Sequence, residues 1–327
     1  MENRKIVIAG GSGFIGNELI RYFGKDHTII ALTRSLPKPV NNRYGKPEQQ
    51  PSGGNKFIRV RWDGKNPGAW MQSLDGADLL INLSGRSVNC RYTPKNKREI
   101  LQSRTEPVKA LGEAIRQCKY PPPLWINASS ATIYRHATDK AQDEYTGEIQ
   151  DDFSVQVCKA WEKTFFDEST PLTRKVALRS AITLGAGGVM VPYFNLLKYG
   201  LGGKQGNGKQ MYSWVHSEDC CRAIEWITDH PELEGVYNCS SPFPVTNENF
   251  MRTLREATGY KTGLPAPAWL LKAGALLIGT ETELILKSRW VMPTRLLESG
   301  FQFRYPLLKD ALQEIIHKIP VKQYRLF

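Results

Sequence analysis

Apolar positions along the chain fall into short continuous runs that alternate with stretches of helical spacing. Ile6, Val7, Ile8 and Ala9 make the first run, the pattern of a strand buried on both faces in the middle of a parallel sheet. Phe14, Ile15, Leu19, Ile20 and Phe23 then recur at helical spacing. Further strands are predicted over 27–34, 57–62, 77–83 and 124–128, and a strand over 235–239 is expected to return to the same sheet. Between them, a short helix is expected over 69–74 and a long polar one over 93–118, with Thr93 as N-cap and Pro94 at the first helical position. Helices are also expected over 153–166 and 218–229, from Thr246, from Pro267 and from Pro306. This alternation predicts an α/β fold with a doubly wound parallel sheet. Residues 36–55, rich in Pro, Gly, Asn and Gln, are expected to form a surface insertion.

The junction of the first strand and helix carries candidate chemistry. Gly10, Gly13 and Gly16 form GxxGxxG, while Gly11, Gly13 and Gly16 fit GxGxxG equally well. A turn without side chains lets backbone N–H groups approach a pyrophosphate, and the helix N-terminus adds its partial positive charge. Strand, glycine turn and helix in that order predict a dinucleotide site.

The second strand ends in Thr33, Arg34 and Ser35, where an NAD site would carry Asp or Glu for the ribose hydroxyl. A cation and hydroxyls favour a 2′-phosphate, so NADP is the expected cofactor. The third strand closes on Asp63, the fourth stops at Ser84 and Gly85, and the fifth runs out into Ser129 and Ser130. Those ends matter because ligands of open α/β sheets bind beyond the carboxyl ends of the strands.

Composition narrows the class. A chain of 327 residues, 41% hydrophobic, suggests about two domains with a substantial core. The apolar stretch over 266–279 is interrupted by Lys272 and is short for a membrane span, and no signal peptide is expected before the first strand. Six scattered cysteines follow neither a zinc spacing nor a disulfide framework, so a reduced, cytoplasmic, metal-free protein is expected. The net charge of +12 lacks the aromatic interleaving of a nucleic-acid platform. An anionic cofactor accounts for part of it. No nucleic acid or membrane partner is expected; a homodimer is left open.

GGSGFIG, INLSG, SSATIY, LRSAITLG and GLGGKQGNGKQMYSWVH together resemble the extended short-chain dehydrogenase/reductase superfamily. With KREILQSR, DDFSVQVCKAWE and MPTRLLESGFQFRYPLLKDAL, the chain is similar over nearly its whole length to an atypical branch known as epimerase-family proteins. The resemblance implies a Rossmann-type domain over 1–184, with 210–240 returning to it, and a smaller, mostly helical, discontinuous substrate domain over 185–209 and 241–327. It implies that Gly10, Gly13, Phe14, Ile15 and Gly16 hold the pyrophosphate, that Arg34 meets the 2′-phosphate, and that Asp63 reaches the adenine amine. Asp63 also fits a plain turn before Gly64. Leu83, Ser84 and Gly85 would line the adenosine and ribose, with Ser129 joining the cofactor set.

The catalytic centre departs from the superfamily. Ordinary members use Ser or Thr with Tyr and Lys four residues apart; the lysine lowers the phenol's pKa and the phenolate takes the substrate proton. Ser130 matches the serine and Lys159 the lysine, but the tyrosine position holds Val155. Tyr134 and Cys158 are the candidate replacements, each also readable as a packing residue, which is what a buried cysteine usually is, and Lys159 also fits an exposed helix position. Tyr305 and Lys309 form a YxxxK read as chance. Trp214 and His216 are candidate substrate contacts, Trp214 being also readable as core and His216 as a satisfied structural histidine. The expected function is an NADP-binding oxidoreductase or epimerase-like enzyme for a small polar, sugar-derived substrate. The rival is an NADP(H)-binding redox-sensing regulator or scaffold that has lost turnover.

Overall fold

The computed structural model describes residues 3–35, 56–269, 271 and 286–325. Seven strands build one parallel sheet: β1 (Lys5–Ala9), β2 (Thr28–Thr33), β3 (Phe57–Arg61), β4 (Leu79–Asn82), β5 (Leu124–Ser130), β6 (Arg174–Ser180) and, later in the chain, β10 (Gly235–Cys239). Their order is β10-β6-β5-β4-β1-β2-β3. Helices α1 (Phe14–Phe23), α2 (Pro94–Gln117), α3 (Phe153–Asp167) and α5 (Ser217–Asp229) supply the crossovers. The doubly wound expectation holds, including the return of β10, which pairs with β6 in parallel from Gly235↔Val176 to Cys239↔Ser180.

Alternation along each strand feeds two cores. Ile6, Ile8, Ile29, Ile81, Ile126 and Leu178 point to the face covered by α1 and α5. Val7, Ala9, Leu32, Leu80, Trp125 and Ala177 meet α2 and α3 on the other. The four residues of the first apolar run are fully buried, and the isoleucine and valine side chains each contribute about 1.5–3 kcal/mol. Thr93 caps α2 as expected, its hydroxyl accepting from Asn96 N at 3.2 Å with Pro94 next in line.

A third core gathers α4 (Met190–Lys198), β8 (Met211–Tyr212), β9 (Trp214–His216), α6 (Asn247–Thr258) and α8 (Leu308–Lys318) around Tyr193, Tyr212, Trp214, Phe250 and Leu312. The short strand β7 (Ile182–Leu184) pairs with β9, and β11 (Val245–Thr246) with β8. Helix α7 (Thr294–Glu298) does not join this lobe: Leu296 and Phe301 pack into the sheet core beside β10. The expected insertion over 36–55 and most of the helix expected from Pro267 lie outside the described residues.

Candidate functional site

The sheet order reverses between β1 and β4, and Gly10 sits at that point. Its φ is +80°, and a Cβ there would stand 2.9 Å from the backbone of Leu83 and Ser84. Glycine is what lets the ends of β1 and β4 close so tightly. Gly16 serves a second contact: its Cβ would meet the Gly11 backbone at 2.6 Å, so α1 rests directly on the turn. Gly13 is different. The nearest atom to a Cβ there is the Gly10 carbonyl oxygen at 3.8 Å. As N-cap of α1 it is extended and offers no side-chain acceptor, and the first turn has no acidic residue. The N–H groups of Phe14, Ile15 and Gly16 therefore stand at the positive end of the helix without an intrahelical acceptor, the arrangement that binds phosphate.

This turn opens into a cleft of about 450 Å³ whose wall includes Gly10, Gly13, Arg34, Asp63, Leu83, Ser84 and Gly85. Seven of the residues expected to hold a cofactor thus line one space. Arg34 is exposed at its rim. Asp63 makes the turn: Oδ1 accepts from Lys65 N at 2.9 Å and Asn66 N at 2.8 Å, and Oδ2 from Asn66 Nδ2 at 2.6 Å. Those bonds, led by the Asn66 N–H, hold its carboxyl below the usual range. Behind the cleft, Asn82 Nδ2 donates to Asn127 Oδ1 at 2.7 Å and Asn82 Oδ1 accepts from Ser84 N at 3.0 Å. The Ser84 hydroxyl is buried and, among the described residues, has no hydrogen-bond partner. Such a group costs about 1–3 kcal/mol, recoverable from a polar ligand lying against it.

A smaller cavity of about 100 Å³ lies beyond the end of β5, lined by Ser130, Thr132, Arg104, Cys158, Trp161 and other residues. Ser130 Oγ donates to Thr132 Oγ1 at 2.8 Å. Ser130 is thus the one expected catalytic side chain that combines an open position with a hydroxyl. Cys158 also lines this cavity, but burial, aided by Glu162, pushes its thiol up to about 12. The thiol form is therefore strongly favoured at neutral pH.

The other expected catalytic and substrate residues are placed elsewhere. Tyr134 is 2% exposed, its hydroxyl donating to Asn238 Oδ1 at 3.0 Å and accepting from Arg179 at 2.8 Å. Burial raises its pKa, and the packing reading is the one observed. Lys159 points to solvent and pairs with Asp151 at 3.5 Å. Val155 is fully buried against Ile133, Tyr134 and Val291, so the position of the missing tyrosine belongs to a packed cluster. Ser129 turns away from the cleft wall and donates to Glu162 Oε1 at 2.5 Å. Trp214 is core, fully buried in the second lobe. His216 is 1% exposed and caps α5: its Nδ1 accepts from Glu218 N at 3.2 Å, which leaves Nε2 to donate to Glu314 at 3.0 Å. Substrate contact by either residue is corrected by this burial.

Phe14 has a role beyond the turn. Its ring fills the space left by Gly185, Gly187 and Gly188, where added Cβ atoms would lie 2.6, 3.3 and 2.9 Å from it. The glycine loop after β7 is thereby fitted onto the first residue of α1.

Two features escaped the residue patterns. Glu162 on α3 and Arg179 on β6 form a buried ion pair that also holds Ser129 and Tyr134. Arg104 on α2 sits between the two cavities, its guanidinium carbon 3.3 Å from where a Gly85 Cβ would be and 5.1 Å from the centre of the Trp161 ring. Both were detectable as charged residues on apolar stripes, Ile100–Arg104–Val108–Leu111 and Val155–Cys158–Glu162–Phe165.

Residues 6–155 match the model of the NAD dependent epimerase/dehydratase family, and residues 266–315 match a domain of unknown function, DUF1731. An epimerase family protein of Staphylococcus saprophyticus is 29% identical over 95% of this chain and 99% of its own length. One from Mus musculus is 27% identical over 95% of this chain and 99% of its own. The crystal structure of a human epimerase family protein with NADPH is 26% identical and superimposes with a TM-score of 0.81, covering 96% of this chain and 99% of that one. No helix among the described residues is long and apolar enough to cross a membrane.

Proposed function

We propose that this chain, whose residues 6–155 match the model of the NAD dependent epimerase/dehydratase family, binds NADP(H) in the cleft behind the glycine turn and acts as an oxidoreductase or epimerase-like enzyme on a small polar substrate. The observation that carries this reading is the convergence of Gly13, Arg34, Asp63, Ser84 and Gly85 on one cleft at the point where the sheet order reverses. The backbone N–H groups from Phe14 to Gly16 take the pyrophosphate, Arg34 takes the 2′-phosphate, and the orphaned Ser84 hydroxyl gains a partner. Asp63, already the centre of its turn, keeps lone pairs for the adenine amine. NADPH in the human family member supports the choice of cofactor. When bound, NADP(H) supplies reversible hydride transfer.

Ser130 is the residue of this chain that orients a substrate oxygen at the end of β5. No Tyr–Lys pair assists it, because Val155 is packed and Lys159 faces solvent. That arrangement supports the second reading, an NADP(H)-binding regulator or scaffold with weak turnover, since a general acid or base contributes about 10² to 10⁴ in rate. Calorimetric titration with NADPH and NADH tests the cofactor assignment. Arg34→Ala is expected to weaken NADPH by about tenfold to a hundredfold, the worth of a charge-assisted phosphate contact, and NADH much less. Equal losses, or a wild-type preference for NADH, overturn it. Turnover of a metabolite panel with NADPH separates the enzyme from the regulator.

A further inference from the structure

Among the described residues, Arg104 is a cation without a counter-charge. It projects from the buried face of α2 between Ile100 and Val108, both fully buried. Its Nη1 donates to the carbonyls of Ile100 at 2.9 Å and Arg86 at 3.2 Å, and its guanidinium carbon lies over the Trp161 ring. Among the described residues no carboxylate pairs with it. Burial depresses its pKa, but a guanidinium remains charged at any physiological pH. Nearby Arg86, in contrast, is paired with Glu99. Arg104 is partly buried, and drawing a cation even part of the way out of water without an opposite charge has a desolvation cost that an anionic ligand would offset.

The cavity that Arg104 shares with Ser130 suggests the reason. We infer that Arg104 is the anchor for a carboxylate carried by the substrate, seated in the small cavity beside Ser130. This rests on the reading of the larger cleft as the cofactor site. A volume of about 100 Å³ is roughly that of three waters at about 30 Å³ each, enough for a carboxylate with one or two attached carbons. A nucleotide sugar does not fit inside it. Val88, Ile100, Val157 and Trp161 make much of the wall apolar, so one cation balances a monoanion, whereas a phosphate dianion would bring an uncompensated charge into that wall. The planar fork of a guanidinium also matches a carboxylate. Ser130, with Thr132 beside it, then lies within the same cavity as a partner for a hydroxyl or carbonyl on the adjoining carbon. The substrate class is a short hydroxy or oxo acid.

The test uses the full-length protein with and without saturating NADPH, and acetate and 2-oxobutanoate as probes, with acetamide and inorganic phosphate as controls at constant ionic strength. The readout is the unfolding midpoint as a function of probe concentration, since a ligand of the native state raises it by mass action. Both carboxylates are expected to raise the midpoint saturably, and acetamide and phosphate are not. Arg104→Gln should abolish the effect, and Arg104→Lys, which keeps the charge but loses the fork, should weaken it about tenfold. NADPH affinity should stay within about twofold in both variants. If Arg104→Gln fails to fold, the lysine variant carries the same comparison. Carboxylates without effect on the wild type, phosphate or acetamide acting as strongly, or an unchanged response in the lysine variant overturn the inference. A loss confined to NADPH affinity reassigns Arg104 to the cofactor. Failure of the wild type to bind NADPH refutes the cofactor reading alone, because the probes still report on the cavity of the cofactor-free protein.

Discussion

Arg179 on β6 and Glu162 on α3 meet inside the protein through two parallel hydrogen bonds, Nε to Oε1 at 2.8 Å and Nη2 to Oε2 at 2.7 Å. The pair also binds the C-terminal end of β5 and the loop that follows it: Glu162 accepts from Ser129, and Arg179 donates to the Tyr134 hydroxyl. Glu162→Gln leaves a buried guanidinium uncompensated and is expected to cost about 3–5 kcal/mol, read as a shift in urea midpoint. The double variant Glu162→Leu with Arg179→Met should be more stable than Glu162→Gln alone, because it leaves no unpaired charge. A loss under about 1 kcal/mol in the single variant contradicts the structural role.

Two glycines of the same turn should fail in different ways. Gly13→Val places atoms where the protein itself leaves room, so its unfolding midpoint should stay near wild type while NADPH binding disappears. Gly16→Ala drives a Cβ to 2.6 Å from Gly11 and should destabilise the fold before any ligand is added. Paired calorimetry and thermal unfolding separate these outcomes; unchanged NADPH affinity in Gly13→Val removes the pyrophosphate from this turn.

Cys158 should be inert. With its thiol pushed up to about 12, only about one molecule in 10⁴ carries a thiolate there at pH 8, and attack requires the thiolate. In the native state, iodoacetamide followed by mass spectrometry should label the partly exposed Cys90 well before Cys158. Comparable labelling at Cys158 would restore it as a reactive group.

His216 makes a pH-dependent contribution to stability. Burial, opposed by Glu314, lowers its pKa from 6.5, so the unfolded chain binds the proton more tightly than the native protein. Stability from this group is therefore complete above pH 6.5 and falls as pH drops from there through the native pKa. His216→Asn, which can still cap α5, should flatten that part of the stability profile and leave NADPH affinity unchanged. A steeper profile in the variant would reverse the assignment. Burial shifts His27 in the same direction, so it contributes to the slope that remains.

The sheet and the cleft at its strand ends were legible because their signals are local. An apolar run followed by spaced glycines and a helical repeat specifies strand, turn and helix within 20 or so residues, and strand ends then mark the cleft. The catalytic positions were not, because spacing in a helix does not say which face is buried. Val155, Cys158 and Glu162 face inward, which carries Lys159 to solvent. Trp214 and His216 misled for another reason: what covers His216 is Glu314 and Tyr305, about a hundred residues later, contacts that no local pattern announces. Most of the helix expected from Pro267 lies outside the described residues.

Glycine at 185 is the imprint of a ring that belongs to another part of the chain. Its Cβ would collide with Phe14 at 2.6 Å and with the Ser217 hydroxyl at 2.8 Å, while its own backbone is not in the left-handed region. The requirement for glycine is thus written at 14 and 217, and the three positions form a single unit of variation. A shorter side chain at 14, with alanine at 217, makes room for alanine at 185, whereas alanine at 185 alone prises the loop from the helix that begins the cofactor cleft. Position 188, with a φ of +55°, keeps its glycine on conformational grounds even when the ring is gone.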